Sequence, residues 1–301
     1  MGFLFKRLLI VGVGLIGGSL GLAAKARGLV EQVVGFGRTE VNLKIALERG
    51  SIDTYTFDPA EAAQGTDLIL LAVPVEATGP VMQQFLPYLP SGCIVTDAGS
   101  VKAPIIETLE ALLPPSLPCV AAHPIAGTEN AGAAAAFETL FDGRMCVLTP
   151  TNETDRTALA RVRALWEGVG MRVEEMDAEV HDRVLAQISH LPHLIAFSVM
   201  NGLLQSSQSR QSPQSAEKVD PLAYAGSAFA DLTRVAASPI EMWRDICLAN
   251  REALLDAITS FEAALARIKA AVAEGDGATL SADIERARQE RQRLTRLREG
   301  K

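Results

Sequence analysis

The residues able to do chemistry fall into a few short segments of this 301-residue chain. His123 opens the run His123-Pro124-Ile125-Ala126-Gly127-Thr128-Glu129, directly after the apolar stretch Cys119–Ala122. A histidine emerging at the carboxyl end of a strand suits a general base or a polariser of a substrate hydroxyl, because its ordinary pKa lies near neutrality. A second apolar run ends in Thr96-Asp97-Ala98-Gly99-Ser100-Val101-Lys102, and a third in Val73-Pro74, where the proline stops the ladder. Further on, Ser189-His190-Leu191-Pro192-His193 places two histidines three residues apart, on one helix face. That spacing raises the question of a metal. No third His, Cys or carboxylate stands nearby at ligand spacing, so no metal is expected.

Near the start, Gly12-Val13-Gly14-Leu15-Ile16-Gly17 follows one apolar run and opens another. In a strand–turn–helix context these glycines make a dinucleotide cradle. Gly12 permits the tight turn, Gly14 lets the backbone approach a pyrophosphate, and Gly17 lets the helix pack close to the sheet. The helix amino end then offers free N–H groups to the phosphates. An acidic residue about twenty positions on usually holds the ribose of NAD. Here the second strand ends in Gly35-Phe36-Gly37-Arg38-Thr39, with no Asp or Glu at that point. Arg38 could pair with a 2′-phosphate and Thr39 could hydrogen-bond it, which leans the cofactor towards NADP within NAD(P). The bland alternative is a solvated Arg38 with NAD bound in the absence of the acidic contact.

The elements needed to position these groups can be read from periodicity. Leu8–Val13, Gln32–Phe36, Leu68–Val73, Cys93–Asp97, Cys119–Ala122 and Met145–Leu148 read as strands, with helices at Val41–Arg49, Pro80–Leu86 and Ala103–Leu113. A helix at Arg156–Val169 and a strand at Arg172–Met176 close this half. Alternation of this kind implies right-handed crossovers, a doubly wound parallel sheet of α/β class, and ligands at the carboxyl ends of its strands. After Met176 apolar residues recur at helical spacing through Val180–Leu204, Ile240–Ala271 and Leu280–Leu297. Two domains are therefore expected: 1–176, Rossmann-like, and 177–301, all-helical. The polar stretch Gln205–Lys218 reads as an exposed loop.

Composition narrows the partners. A net charge of -8 argues against nucleic acid, since phosphate neutralisation requires a basic surface. Lys6 and Arg7 before the apolar run Leu8–Ala24 imitate a signal peptide, but five glycines in that run fit a strand, a turn and a helix start instead. No export and no membrane span are expected. Four cysteines without a CxxC pair fit reduced thiols in the cytoplasm.

Taken in order, Gly99-Ser100-Val101-Lys102, His123–Glu129, Ser189–His193, Asp231-Leu232-Thr233-Arg234 and Trp243-Arg244-Asp245 resemble the motifs of the prephenate/arogenate dehydrogenase family, from Leu8 to about Asn250. The resemblance implies oxidative decarboxylation of a cyclohexadienol with hydride transfer to NAD(P). It implies that His123 takes the proton of the C4 hydroxyl and that Ser100 holds that hydroxyl or His123. Arg234 would bind the ring carboxylate, which suits its planar guanidinium; a structural pair with Asp231 is the alternative. His193 would meet the substrate side chain or order the site, and Thr128 and Glu129 would line its mouth. His190 and Trp243 read as packing, and His181 has no assigned role.

The family's basic residue before the aspartate of the Asp231 segment is Ala230 here, which tilts the substrate towards arogenate. The resemblance also implies a homodimer built on residues 177–301, in keeping with apolar faces too extensive for one small helical domain to bury. Two rivals fit less well. A 3-hydroxy acid dehydrogenase would need a lysine on the first helix after the boundary, and Asp177–Leu204 holds none. A non-catalytic dinucleotide sensor would have no use for His123, Ser100 and Arg234 together.

Overall fold

The computed structural model describes residues 2–128, 130–209 and 220–298. Nine strands and twelve α-helices occur among them. In chain order these are β1 (Phe5–Val11), α1 (Leu15–Ala26), β2 (Val30–Phe36), α2 (Glu40–Glu48), β3 (Thr54–Thr56), α3 (Pro59–Ala63), β4 (Leu68–Leu71), α4 (Thr78–Phe85), β5 (Ile94–Asp97), α5 (Ala103–Leu112), β6 (Cys119–Val120), β7 (Ala122–Ile125), β8 (Met145–Leu148), α6 (Arg156–Gly168), β9 (Arg172–Glu175), α7 (Ala178–Leu185), α8 (Leu191–Ser209), α9 (Ser227–Thr233), α10 (Ile240–Ala249), α11 (Arg251–Glu274) and α12 (Gly277–Arg298). One π-helical turn, Ala186–His190, joins α7 to α8.

Six strands form one sheet in the order β3-β2-β1-β4-β5-β6, every pair parallel. This is the Rossmann order, and the chain reverses direction across the sheet between β1 and β4, where a dinucleotide crevice forms. Alternate side chains of the buried strands feed opposite faces. Leu8, Ile10, Leu68 and Leu70 pack with Leu20 and Trp166 on one side, while Leu9, Val11, Ile69 and Leu71 pack with Met82, Phe85 and Leu109 on the other. Burial on both faces explains why these strands read as continuous apolar runs rather than alternating ones.

One expectation is corrected here. Cys119–Ala122 is not a single strand with His123 at its carboxyl end. The chain breaks at Ala121, and β7, which contains His123, joins a separate three-stranded sheet, antiparallel to β8, with β8 parallel to β9. The cause is local. The Ala122 N–H donates to Asp97 Oδ1 at 3.0 Å, and its carbonyl accepts from Lys102 Nζ at 2.8 Å. Asp97 at the end of β5 and Lys102 in the loop that follows thus take both main-chain groups of Ala122, and the parallel ladder cannot run on. Lys102 and Asp97 also pair with each other, both fully buried.

Other differences are smaller. The expected strand start at Leu8 moves back to Phe5, and β3 and α3 are too short to have left a periodic signal. Gln205–Ser209 continue helix α8 instead of opening a loop; residues 210–218 of the expected loop lie outside the described residues. After Glu175 only helical elements and turns occur among the described residues. None of these helices is long and apolar enough to cross a membrane.

By compactness the chain divides into Met1–Arg251 and Glu252–Lys301. The change from strands to helices near Asp177 falls within the first unit, which also holds α7–α10. The second unit is a helical hairpin. Gly275, at φ +66°, turns the chain between its helices, Asp276 receives the Thr279 N–H at 3.0 Å, and Arg267 Nε reaches Asp283 Oδ2 at 2.8 Å.

A buried ion pair that loses one partner leaves an uncompensated charge, at a cost of about 3–5 kcal/mol. Lys102→Met should therefore lower stability by that order in urea denaturation. An unchanged midpoint would show that Asp97 is held well enough by its two main-chain N–H donors alone.

Candidate active site

The cradle at the end of β1 has the shape a dinucleotide needs. Gly12 turns at φ +93°, and a Cβ there would strike the carbonyl of Ala72, just past β4. At Gly17 a Cβ would lie 2.5 Å from the Gly12 carbonyl oxygen, so only glycine lets α1 approach the sheet so closely. In front of Gly14 the space is open, with no atom within 4 Å of an added Cβ. No side chain caps the amino end of α1, where Leu15 and Ile16 begin the helix. A concave, uncapped helix start with open space before it fits a pyrophosphate. Val73 and Pro74 follow β4 beside it, and the turn Val75–Ala77 then packs towards α10 through Val75, which joins a cluster of Val101, Trp243 and Ile246. Arg38 and Thr39 are exposed at the end of β2, and Thr39 precedes α2 without capping it through its side chain.

Asn42, on α2, contributes a contact with no sequence signal. Its amide donates to the Val13 carbonyl at 2.7 Å and its carbonyl accepts from the Ala133 N–H at 2.9 Å. The glycine-rich turn is thereby tied to the segment that follows Thr128. Arg49 and Ser19 add bonds to Ala136 and Phe137, at 2.7 and 3.0 Å.

His123 is buried, and its Nδ1 lies 2.8 Å from Nε2 of His181, which is completely buried on α7. His181 Nδ1 in turn lies 2.7 Å from Oδ1 of Asp182. The Asp182 carboxylate accepts the main-chain N–H of Lys102 at 2.8 Å and of Ala103 at 2.9 Å, at the start of α5. Asn250 closes the set, donating to the Asp182 carbonyl at 2.8 Å and meeting His190 Nδ1 at 3.0 Å. Burial pushes the His123 pKa well below 6.5, helped by His181, Lys102 and His190, so the ring is neutral near pH 7. With Nδ1 engaged, Nε2 is the nitrogen left to meet a ligand. Ser100 lies half-buried in the β5–α5 loop, between Gly99, whose N–H is held by Asp97, and Lys102, held by Asp182.

The π turn and α8 supply the other histidines. His193 Nδ1 bonds the Ser189 carbonyl at 2.8 Å, and its ring stacks on Trp243 with centroids 3.6 Å apart. Burial lowers the His193 pKa, and the charge of Arg234 lowers it further, which places Arg234 within electrostatic reach of that ring. Arg234 itself is exposed, at the carboxyl end of α9. His190 is buried edge-on to Trp243, and burial holds its pKa down to about 4. Its Nε2 and the indole nitrogen of Trp243 have no hydrogen-bond partner among the described residues. Thr128 is exposed and accepts the Asn130 N–H at 3.2 Å; Glu129 lies outside the described residues. A hollow of about 520 Å³ lined by Lys6, Arg7, Glu31, Gln32 and Asp53 sits at the opposite, amino end of the strands, away from these groups.

Val101, next to Ser100, packs with Trp243, on which His193 stacks, and His190 lies within electrostatic reach of His123, while Arg38 and Thr39 stand exposed at the end of β2. Sequence reasoning missed His181, Asp182, Lys102, Asn250 and Asn42 as organisers. The available signals were Lys102's place in the Gly99–Lys102 motif and the adjacent pair His181-Asp182 just inside a helix that starts at an N-capping Asp177.

Comparison with known proteins decides the family. The model for the prephenate dehydrogenase nucleotide-binding domain matches residues 20–175, and that for the prephenate dehydrogenase dimerization domain matches residues 177–285. The chain belongs to the prephenate dehydrogenase family. It is 38% identical over 273 residues to a cyclohexadienyl dehydrogenase of Zymomonas mobilis, covering 91% of this chain and 90% of that one. The crystal structure of prephenate dehydrogenase from A. aeolicus, in complex with hydroxyphenyl propionate and NAD+, superposes with a TM-score of 0.87 at 34% identity, covering 96% of this chain and 98% of that one. Synechocystis arogenate dehydrogenase gives a TM-score of 0.79 at 27% identity, covering 96% and 100%. As a member of this family, the chain is an NAD(P)-dependent dehydrogenase.

Neutral, buried imidazoles have a linked consequence. His123, His190 and His193 all have folded-state pKa values below their ordinary 6.5, so the unfolded chain binds more protons as acid is added. Their contribution is intact above about pH 6.5 and is lost as pH falls towards 4. Calorimetry should show the unfolding temperature dropping by several degrees across that window, while a flat profile would mean that the rings are not held neutral.

Proposed function

We propose that the chain catalyses the oxidative decarboxylation of prephenate and/or arogenate, giving 4-hydroxyphenylpyruvate or tyrosine with hydride transfer to NAD(P), in tyrosine biosynthesis. The observation that carries this reading is His123. It is buried and neutral, tied through Nδ1, and set in the same unit as the dinucleotide cradle.

Gly12, Gly14, Leu15, Ile16 and Gly17 hold the pyrophosphate, and Val73 and Pro74 flank the nicotinamide end. When bound, the oxidised nicotinamide accepts the C4 hydrogen of the substrate as hydride. His123 Nε2 takes the proton of the C4 hydroxyl as its oxygen becomes a carbonyl, and Ser100 orients that hydroxyl or the imidazole. The ring carboxylate then leaves as carbon dioxide, its bonding pair passes through the ring onto the C4 oxygen, and that oxygen takes back a proton from His123 to give the phenol. Arg234 binds the ring carboxylate through its planar fork, and His193, held flat on Trp243, meets the substrate side chain. Thr128 and Glu129 line the mouth.

Two finer preferences belong to this reading. Arg38 and Thr39, exposed at the end of β2 where Gly37 stands in place of a ribose-binding acid, favour NADP over NAD. Ala230, in place of a basic residue, favours the ammonium-bearing side chain of arogenate. Residues 177–301 form the helical substrate-binding and dimerisation domain. Support for a homodimer comes from the family model over 177–285 and from apolar side chains left exposed, Ile240 and Leu248 in the first unit and Leu265, Ile268 and Val272 in the second. The four free thiols fit a cytoplasmic enzyme.

The test is formation of reduced nicotinamide by the purified protein, with prephenate and arogenate each offered against NAD and NADP. Turnover is expected, fastest with arogenate and NADP, and His123→Asn should lower kcat by about 10²–10⁴-fold. Failure of all four combinations by a protein that still binds dinucleotide would overturn the assignment. Arg38→Ala should raise KM for NADP and leave KM for NAD within a few-fold; equal effects on both would remove the NADP preference.

A further inference from the structure

Both oxygens of Asp182 act as acceptors, one from the Lys102 N–H and the other from the Ala103 N–H, at the amino end of α5. This is the bonding pattern of an ionised carboxylate, which has no proton to give. Its Oδ1 also faces His181 Nδ1 at 2.7 Å, so that nitrogen carries a proton. In its neutral form His181 has this single N–H, which leaves its Nε2 a bare acceptor. It lies 2.8 Å from His123 Nδ1, which must supply the hydrogen. His123 is left with an unprotonated Nε2. Every step of this chain is buried, with His181 fully enclosed and Asp182 and His123 nearly so.

We propose that His181 and Asp182 are positioning residues that fix the proton on His123 Nδ1, so that Nε2 is presented bare to the substrate hydroxyl. The inference rests on the reaction proposed above and assigns a role to two residues that do not touch substrate. When His123 accepts the hydroxyl proton at Nε2, its Nδ1–H stays donated to His181 and no further proton has to move. The charged and titratable groups around the pair are Lys102 and Asp97 from the β5–α5 segment, Asp182 from α7 and His190 from the π turn. The buried Lys102 ammonium disfavours the competing state, in which a doubly protonated His181 donates to both neighbours and pushes the His123 proton onto Nε2.

The chain has only four histidines, so the ring nitrogens can be resolved one by one by ¹⁵N NMR of the intact protein. At neutral pH, His123 should show a protonated Nδ1 and a bare Nε2. His181→Leu, which removes the acceptor, should lower kcat on the order of 10²-fold with KM within a few-fold, and should mix the His123 tautomers. His181→Gln offers an amide oxygen to the same Nδ1–H and should recover most of that loss. A wild-type His123 protonated at Nε2 would overturn the proposal. So would a His181→Leu enzyme as fast as wild type, or a His181→Gln enzyme as slow as His181→Leu. The NMR arm requires no turnover, so it judges the proton arrangement even where the proposed reaction fails.

Discussion

The site depends on one carboxylate meeting three donors at once. Asp182 sits on the first helix after the strand-rich half, and its oxygens take the two main-chain N–H groups that open α5 and the ring N–H of His181. A buried carboxylate without such donors would carry a heavy desolvation cost. With them it becomes a joint between the loop bearing Ser100 and His181, the histidine that meets His123. Asp97 performs the matching task one strand away, receiving Gly99, Ala122 and Lys102. The two acids fix the loop from Gly99 to Ala103 at both ends. Their spacing along the chain, 97 and 182, shows how far apart in sequence the parts of one small polar network can lie.

The same network accounts for the departure from a regular sheet. A longer β6 would need its main-chain groups for the ladder, but those of Ala122 are committed to Asp97 and Lys102. The chain leaves the sheet, Pro124 has no N–H to offer, and β7 turns to pair with β8. His123 is thereby carried into contact with α7. Preorganisation of this kind places the proposed base before any ligand arrives, the condition under which a general base is most effective.

Much of the scaffold was legible in the sequence because its signals are local. The glycines from 12 to 17, the apolar runs of β1, β4 and β5, and the loss of strand character after Met176 each follow from residues adjacent in the chain. His123 was legible as the candidate base because its segment resembles a family motif. What held it was not, since the partner nitrogen lies 58 residues away and a histidine on a helix has no pattern that announces such a contact. Asn42 and Asn250 were invisible for the same reason, each an ordinary polar residue made important by two distant partners. The break at Ala121 was unreadable because side-chain capture of one peptide leaves the apolar pattern Cys119–Ala122 intact. The π turn before α8, which with the start of α8 brings His190 edge-on and His193 stacked against Trp243, likewise leaves no mark in the hydrophobic period.

The central claim is that this network aims His123 Nε2 at the hydroxyl-bearing carbon beside the nicotinamide. A crystal structure with NADP and the phenolic product bound tests it most directly. The account predicts a hydrogen bond of about 2.6–3.2 Å from His123 Nε2 to the phenolic oxygen, with the carbon bearing that oxygen against the nicotinamide C4 and Arg234 at the opposite end of the ring. A product bound with His123 turned away from that oxygen, or a nicotinamide ring seated elsewhere than between Val73 and the β5–α5 loop, would contradict it.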